Sequence, residues 1–272
     1  MIKLVAIDLD GTLLKDDKTI SDRNKEVLQQ AKAEGVKIVL CTGRPLVAIE
    51  SYLDRLELRD PGDYSITFNG SAVQKNDTGE ELVSYSFDLK EVQRVAAVME
   101  QLHLPLDVIS VDTCIHLTTA PEHASIYQSI NPVLKYETRE VSELTDELIF
   151  NKMVVAIEPA YLDQQISRLP KELHESFNIM KSRDCLLEII HPEGSKANGI
   201  ALLGEQLGIS AAEVMALGDE ENDASMIEYA GMGVVMENGN PSLKKIAQYV
   251  TKTNEEDGVA HAVETFVLNK EG

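Results

Sequence analysis

"VAIDLDGTLL", residues 5–14, decides how the chain is read. Residues 2–7 are apolar and β-branched enough for a buried strand, which then runs into two aspartates, Asp8 and Asp10, and a Gly-Thr pair. Two like charges at a strand end admit two readings. One is a plain turn after an edge strand. The other is a metal site carrying a nucleophile. Along an extended strand, side chains two residues apart leave the same face, roughly 6.5–7 Å from one another.

Outward from this stretch the chain alternates. "SDRNKEVLQQAKAEG" predicts a helix with Ser21 as its N-cap and Gly35 as its stop. "VKIVLCTGR" predicts a second buried strand. "PLVAIESYLDRLEL" predicts a helix with Pro45 in its first turn, and "YSITFNG" a third strand. Apolar strands alternating with helices predict a parallel sheet covered on both faces, an α/β fold. The last third has the same texture. Helices are expected over "KANGIALLGEQLGI", "NDASMIEYAG", "PSLKKIA" and "DGVAHAVETFVL", with strands over "VMALGD", "MGVVME" and "QYVTK". From about Leu82 to Ile190 the pattern changes to hairpins, with turns at "SVDTC" and "SRDC", and two amphipathic helices. This α+β stretch reads as a second domain inserted into the first, with boundaries at 83–190 for the insert and 1–82 plus 191–272 for the core.

Composition excludes several classes. Asp and Glu (46) outnumber Lys and Arg (25), a formal net charge of −21. A broad basic surface for nucleic acid or an anionic membrane is therefore not expected. No apolar run approaches the ~20 residues of a membrane span, and the N-terminus does not read as a signal peptide. The three cysteines, Cys41, Cys114 and Cys185, are widely spaced, which fits fillers in a reducing cytoplasm rather than a disulfide or zinc framework. The six histidines form no recognisable arrangement, and "GMGVVM" lacks the third glycine of a dinucleotide fingerprint.

Ligands in open parallel sheets sit beyond the carboxyl ends of the strands. Four expected strands end there in polar, glycine-containing turns: "IDLDGT", "LCTGR", "FNG" and "LGDEEND". The last places Asp219, Glu220, Glu221 and Asp223 within five residues, a density that calls for a cation. Mg²⁺ suits it, binding a few carboxylate oxygens with water and phosphate. Glu220 and Glu221 fit equally an acidic helix start. "CTGR" offers the Thr42 hydroxyl, the Gly43 N–H and Arg44 just before a helix, an anion cradle or an ordinary turn. Lys196 stands at a helix start, where the dipole disfavours a cation unless an anion lies close.

DxDGT, a strand ending in Thr-Gly-Arg, a lone Lys and GDxxND, in this order, resemble the haloacid dehalogenase (HAD) superfamily of phosphatases, and the insert resembles the large α+β (C2-type) cap of its Cof-type members, sugar phosphatases among them. The resemblance implies a Rossmann-like three-layer parallel core and a cap that closes over the site and selects substrate. It implies Asp8 as nucleophile and Asp10 as general acid and base, its carboxyl pKa raised by the like charge beside it. Thr42 and Gly43 would hold the phosphoryl group, and Lys196 would neutralise it and Asp8. Mg²⁺ would be bound by Asp8, the Asp10 main chain and Asp219, with Asp223 in support. Asn222 would contact phosphate, and Arg44, Asn69 and Gly70 would face the substrate. The expected partner is a small phosphorylated metabolite, most simply a sugar phosphate, and the protein a cytoplasmic monomer or homodimer. A flavin precursor or pyridoxal phosphate as substrate, a phosphomutase or phosphotransferase, and a phosphosugar-binding regulator without turnover remain as alternatives. Arg139, Arg183 and His116 are possible cap contacts, better read as solvated surface.

Overall fold

A computed structural model describes residues 1–120 and 122–269. Its strands, in chain order, are β1 (Leu4–Ile7), β2 (Lys37–Cys41), β3 (Tyr64–Thr67), β4 (Ala72–Lys75), β5 (Glu81–Ser84), β6 (Leu106–Ser110), β7 (Thr113–Leu117), β8 (Lys135–Arg139), β9 (Lys152–Ala156), β10 (Asn178–Arg183), β11 (Leu186–Ile190), β12 (Val214–Gly218), β13 (Met232–Val235) and β14 (Tyr249–Val250). They fall into two compact units. Met1–Val83 joins the stretch from Ser195 onward, and Ser84–Gly194 forms the other.

The first unit holds a sheet of order β14-β13-β12-β1-β2-β3-β4-β5. From β14 to β3 all neighbours are parallel, and β4 returns antiparallel to β3. β1 lies at the centre, with Leu4 opposite both Val214 and Lys37. Its four residues are wholly buried, and they divide between two cores. Val5 and Ile7 pack with Val27 and Leu28 of helix Asp22–Ala33, Leu53 of helix Glu50–Leu56 and Val259 of helix Gly258–Phe266. Leu4 and Ala6 pack with Ile200 of helix Lys196–Leu207 and with Met226 of helix Ala224–Tyr229. A strand apolar on both faces thus organises a three-layer α/β core, as its sequence predicts.

The second unit is a sheet of order β10-β11-β9-β6-β7-β8, antiparallel except for the β7–β8 pair. One face packs on helices Leu89–Gln101 and Pro159–Ile166 through Val92, Met99 and Leu162. Its edge strand β8, "KYETR", is too polar and too exposed to carry an alternation signal.

Local departures from the expected elements have local causes. Asp8 and Asp10 do not continue the strand. β1 ends at Ile7, and the chain turns through Gly11 at φ +85, so the same-face spacing of an extended strand does not apply. The helix expected over 45–58 is split into a 3₁₀ turn, Leu46–Ala48, and helix Glu50–Leu56, with Pro45 preceding them as the cap residue. Ile49, fully buried at φ −119, makes the break by dropping into the core. Ser21 does cap its helix, accepting from the Asn24 N–H at 3.0 Å.

One close approach sets the floor of the sheet's carboxyl edge. Gly70 has φ +96, and a Cβ on it would lie 1.8 Å from the Ser195 carbonyl oxygen. The turn after β3 is thereby seated against the start of helix Lys196–Leu207, and no side chain fits between them. Gly70→Ala is expected to cost about 3 kcal/mol, from backbone strain and overpacking together, read as a lowered urea midpoint at unchanged slope.

Candidate active site

The carboxyl ends of β1, β2, β3 and β12 bring the sequence-predicted residues to one edge of the first unit. Lys196, at the first position of its helix, is 1% exposed. Its ammonium donates to Asp8 Oδ1 at 2.5 Å and to Asp223 Oδ1 at 2.6 Å. Burial alone would lower the lysine pKa, but the charges of Asp223 and Asp8 outweigh it and push it up, so the side chain stays protonated. The cation at a helix N-terminus is thus stabilised by two carboxylates that face it.

Asp219 follows β12 directly. Thr12 donates its hydroxyl to Asp219 Oδ1 at 2.8 Å, which ties the turn after β1 to the turn after β12. Gly11 makes this possible, since a Cβ there would lie 2.2 Å from Asp219 Oδ2. Asp223 braces the same turn by accepting the Asp219 and Glu220 N–H groups on Oδ2, at 2.9 and 3.1 Å. Glu220 and Glu221 stay at the solvent edge, in the acidic start of a 3₁₀ turn.

Asp8, Asp219 and Asp223 present carboxylate oxygens within 4.8 Å of one another, all three residues buried. One ammonium faces three carboxylates. Burial, joined by Asp223 and Asp219 against the pull of Lys196, raises the Asp8 carboxyl well above its ordinary value. Burial and Asp223 push Asp219 up to about 7. An all-oxygen set with surplus negative charge fits a hard divalent cation. The two Asp223 oxygens are already engaged, whereas Asp8 Oδ2 takes no hydrogen bond from the described residues. Asp8 and Asp219 are therefore the better donors, and Asp223 the strut.

Asp10 stands apart from this cluster. Its carboxylate receives Arg44 in a fork, Nη2 to Oδ1 at 2.7 Å and to Oδ2 at 2.8 Å, Nε to Oδ2 at 3.0 Å. Lys18 Nζ adds a contact to Oδ1 at 2.9 Å. Burial raises the Asp10 carboxyl, but Arg44 and Lys18 outweigh it and hold the pKa below the usual value. The expectation that a like charge raises it is corrected here. The neighbours on its side chain are cations, and the carboxyls lifted by burial and like charge are Asp8 and Asp219.

The remaining candidates line the same edge. Thr42, 2% exposed, accepts the Arg44 N–H on its hydroxyl at 3.2 Å. Asn69, left-handed at φ +56, donates its N–H to the Thr42 carbonyl at 2.9 Å and takes the Asn222 amide on Oδ1 at 3.3 Å. A Cβ on Gly43 would lie 3.0 Å from the Asn69 amide, so these two turns also pack backbone to side chain. Cys41, wholly buried behind the site, has its thiol pushed up to about 12 by burial and is inert.

A sequence profile of haloacid dehalogenase-like hydrolases matches residues 5–263. The chain belongs to that family. YxeH of Bacillus subtilis (strain 168) is 37% identical to this HAD-like hydrolase over 270 residues, 99% of this chain and 100% of its own. The 5-amino-6-(5-phospho-D-ribitylamino)uracil phosphatase YcsE of the same organism is 32% identical over 269 residues, 98% of this chain and 96% of its own. Among solved structures, a haloacid dehalogenase-like hydrolase from Bacteroides thetaiotaomicron superposes with a TM-score of 0.84 at 29% identity, over 97% of this chain and 99% of that one. The HAD subclass IIB sugar phosphatase BT4131 gives 0.81 at 26% identity, over 97% and 98%. Among the described residues, no helix is long and apolar enough to cross a membrane.

Two contributors escape sequence reading of this HAD-like hydrolase. Asn238 donates its amide to the Gly11 carbonyl at 2.8 Å and fixes the turn after β1. A signal existed, since "MENGN" after β13 is a fifth polar, glycine-bearing strand end. Lys18 had none, because an exposed lysine in a polar loop looks like any other.

The raised Asp219 carboxyl gives a testable pH dependence. Its folded pKa lies near 7, above the ~3.9 of an unfolded chain. Between these values the folded state holds a proton the unfolded state has released, so its stability falls as pH rises through the window. In chelator, the melting temperature should fall between about pH 5 and about pH 8, and Asp219→Asn should flatten that slope. Added Mg²⁺ should raise the melting temperature more at the higher pH, because the cation competes with the proton for the same oxygens.

Proposed function

We propose that this chain is a Mg²⁺-dependent phosphatase that hydrolyses phosphate monoesters of small metabolites, sugar phosphates foremost, through an aspartyl-phosphate. One observation carries the reading. Asp8 is a buried carboxylate with one oxygen held by the Lys196 ammonium at 2.5 Å and the other open at the end of the central strand. A structural ion pair has no use for a second carboxylate and an open oxygen, whereas a nucleophile needs both a fixed orientation and a free lone pair.

In this reading Asp8 Oδ2 attacks phosphorus, a P–O bond forms to Asp8, and the bond to the leaving oxygen breaks. Asp10, ionised while Arg44 and Lys18 hold it, would take up a proton from solvent as Arg44 turns to the incoming phosphate, give it to that oxygen, and later take one from the water that cleaves the acyl-phosphate. Lys196, protonated and unable to move far, offsets the approach of an anion to an anion. Thr42, the Gly43 N–H, Arg44, Asn69, Gly70 and Asn222 bind and orient the phosphoryl group and its neighbours. Asp8, Asp219 and the Asp10 carbonyl, braced by Asp223, would hold Mg²⁺, which would supply Lewis-acid charge toward the phosphoryl oxygens when bound. The unit Ser84–Gly194 is assigned the choice of leaving group.

The substrate class has two supports of different kinds. The neighbour BT4131 is a sugar phosphatase by its description, and a relative of higher identity, YcsE, is named for a flavin precursor. The second class is therefore the alternative reading. Purified protein with Mg²⁺, offered a panel of sugar phosphates and 5-amino-6-(5-phosphoribitylamino)uracil, separates them by kcat/KM. Asp8→Asn should lose turnover by at least about 10³-fold while its melting curve in chelator stays cooperative. Phosphate release by that variant at wild-type rates would remove Asp8 as nucleophile.

A further inference from the structure

We propose that a cavity in the second unit, floored by Asp107 and His116, is a binding site for a neutral polyhydroxylated molecule, a free sugar or a polyol. The residues that line it belong to that unit alone, and none of them is part of the aspartate cluster.

The sheet register makes the floor. Leu106 and Val108 of β6, and Ile115 and Leu117 of β7, pack toward the helices. Alternation sends Asp107 and His116 to the other face, where they stand opposite one another. β8 pairs with β7 so that Thr138 continues the row. His116, expected at the solvated surface, is half-buried, and Asp107 beneath it is buried.

The hydrogen bonds around Asp107 leave one group unspent. His116 Nδ1 donates to Asp107 Oδ1 at 2.8 Å. Ser125 donates its hydroxyl to Asp107 Oδ2 and accepts the Tyr127 N–H at 3.1 Å. Both carboxylate oxygens and the serine are thus committed. A carboxylate on Nδ1 fixes the imidazole ring and leaves Nε2, on its far side, to the cavity. Nε2 meets no hydrogen-bonding partner among the described residues.

The walls decide the class of ligand. The cavity measures about 340 Å³, at the small end of the range for small-molecule sites. The Gln128 amide and the Thr138 hydroxyl, each able to donate and to accept, stand at its exposed rim. Tyr136 has its hydroxyl committed to the Asn131 carbonyl at 2.8 Å, so its ring is what it offers. Both carboxylates in the lining are already paired, Asp107 with His116 and Glu137 with Arg139 at 2.8 Å. Among the described residues no lysine or arginine lines the cavity, so a phosphorylated ligand would meet two carboxylates without a cation to offset them. Dual donors and acceptors beside a held aromatic ring suit hydroxyl groups on a carbon frame, whose C–H edges can lie on the ring.

The test is an NMR titration of the isotope-labelled full chain with D-glucose, D-ribose and ribitol. It is run in chelator, so that phosphate esters used as controls are not turned over. At least one of the three should give saturable shifts of the Gln128 side-chain amide and the His116 ring below about 50 mM ligand. The Gln128→Ala/Thr138→Val double variant, altered only at exposed positions, should keep the wild-type melting temperature and bind at least about tenfold more weakly. Glucose 6-phosphate and glucosamine, the anionic and cationic counterparts of glucose, should shift these two groups less than the neutral sugar that binds. Absence of saturation with all three neutral ligands overturns the proposal. So does unchanged affinity in the double variant, tighter binding of either charged counterpart, or shifts confined to Asp8, Thr42 and Asp219. No turnover is read, so the result stands apart from the hydrolase reading and its own test.

Discussion

One ammonium among three carboxylates is the constraint on which the first unit depends. Lys196 is wholly buried at the start of its helix, and no arrangement of apolar neighbours could keep it charged there. Asp8 and Asp223 do so at hydrogen-bond distance. Those two residues come from the ends of β1 and β12, adjacent parallel strands. Sheet register and charge pairing therefore specify the same neighbourhood. A slip of β12 against β1 by one residue would move the Asp223 turn away from Lys196 and bury a cation with half its compensation.

The carboxylates outnumber their cation, and that imbalance separates chemistry from structure. A site meant only to hold helices together would end in matched charges. Here the surplus collects on Asp8 and Asp219, whose carboxyls are lifted by burial, while Asp10 is held low by two cations of its own. Two aspartates one residue apart thus experience opposite electrostatics. The chain achieves this by ending the strand before Asp8 and turning at Gly11, which sends the two side chains to different partners.

Much of the core was legible in the sequence because its signals are local and redundant. Runs such as "LVAI" and "VMALG" are apolar on both faces, and only a covered parallel sheet uses such strands. The four strand-end turns could be placed on one edge from topology alone. What could not be read depends on contacts between distant segments. Nothing near Lys18 announces Asp10. The polar strand end "NGNP" marks a place on the sheet edge but does not identify the Gly11 carbonyl as the partner of Asn238. The same holds for the break at Ile49, which is decided by a side chain's place in the core and overrides a helical pattern that the sequence displays without interruption. Strands β5 and β8 lie at sheet edges and, being short and polar, lack the alternation that betrays half-buried strands, and β4, inside the sheet between β3 and β5, is only four residues long.

The central position of β1 has a consequence for synthesis. Its two hydrogen-bonded neighbours are β2, a helix away in sequence, and β12, which begins at Val214. A chain leaving the ribosome presents β1, β2 and β3 before β12, with one side of the central strand unpaired and Asp8 lacking the Lys196 countercharge. The whole intervening unit must be made before that edge is closed. Asp223 then arrives last of the three residues of the buried Asp8–Lys196–Asp223 ion cluster, which is completed only after the intervening unit has been made. The long wait leaves an apolar strand edge open in the nascent chain, the point at which a chaperone or a mispairing partner has its best access.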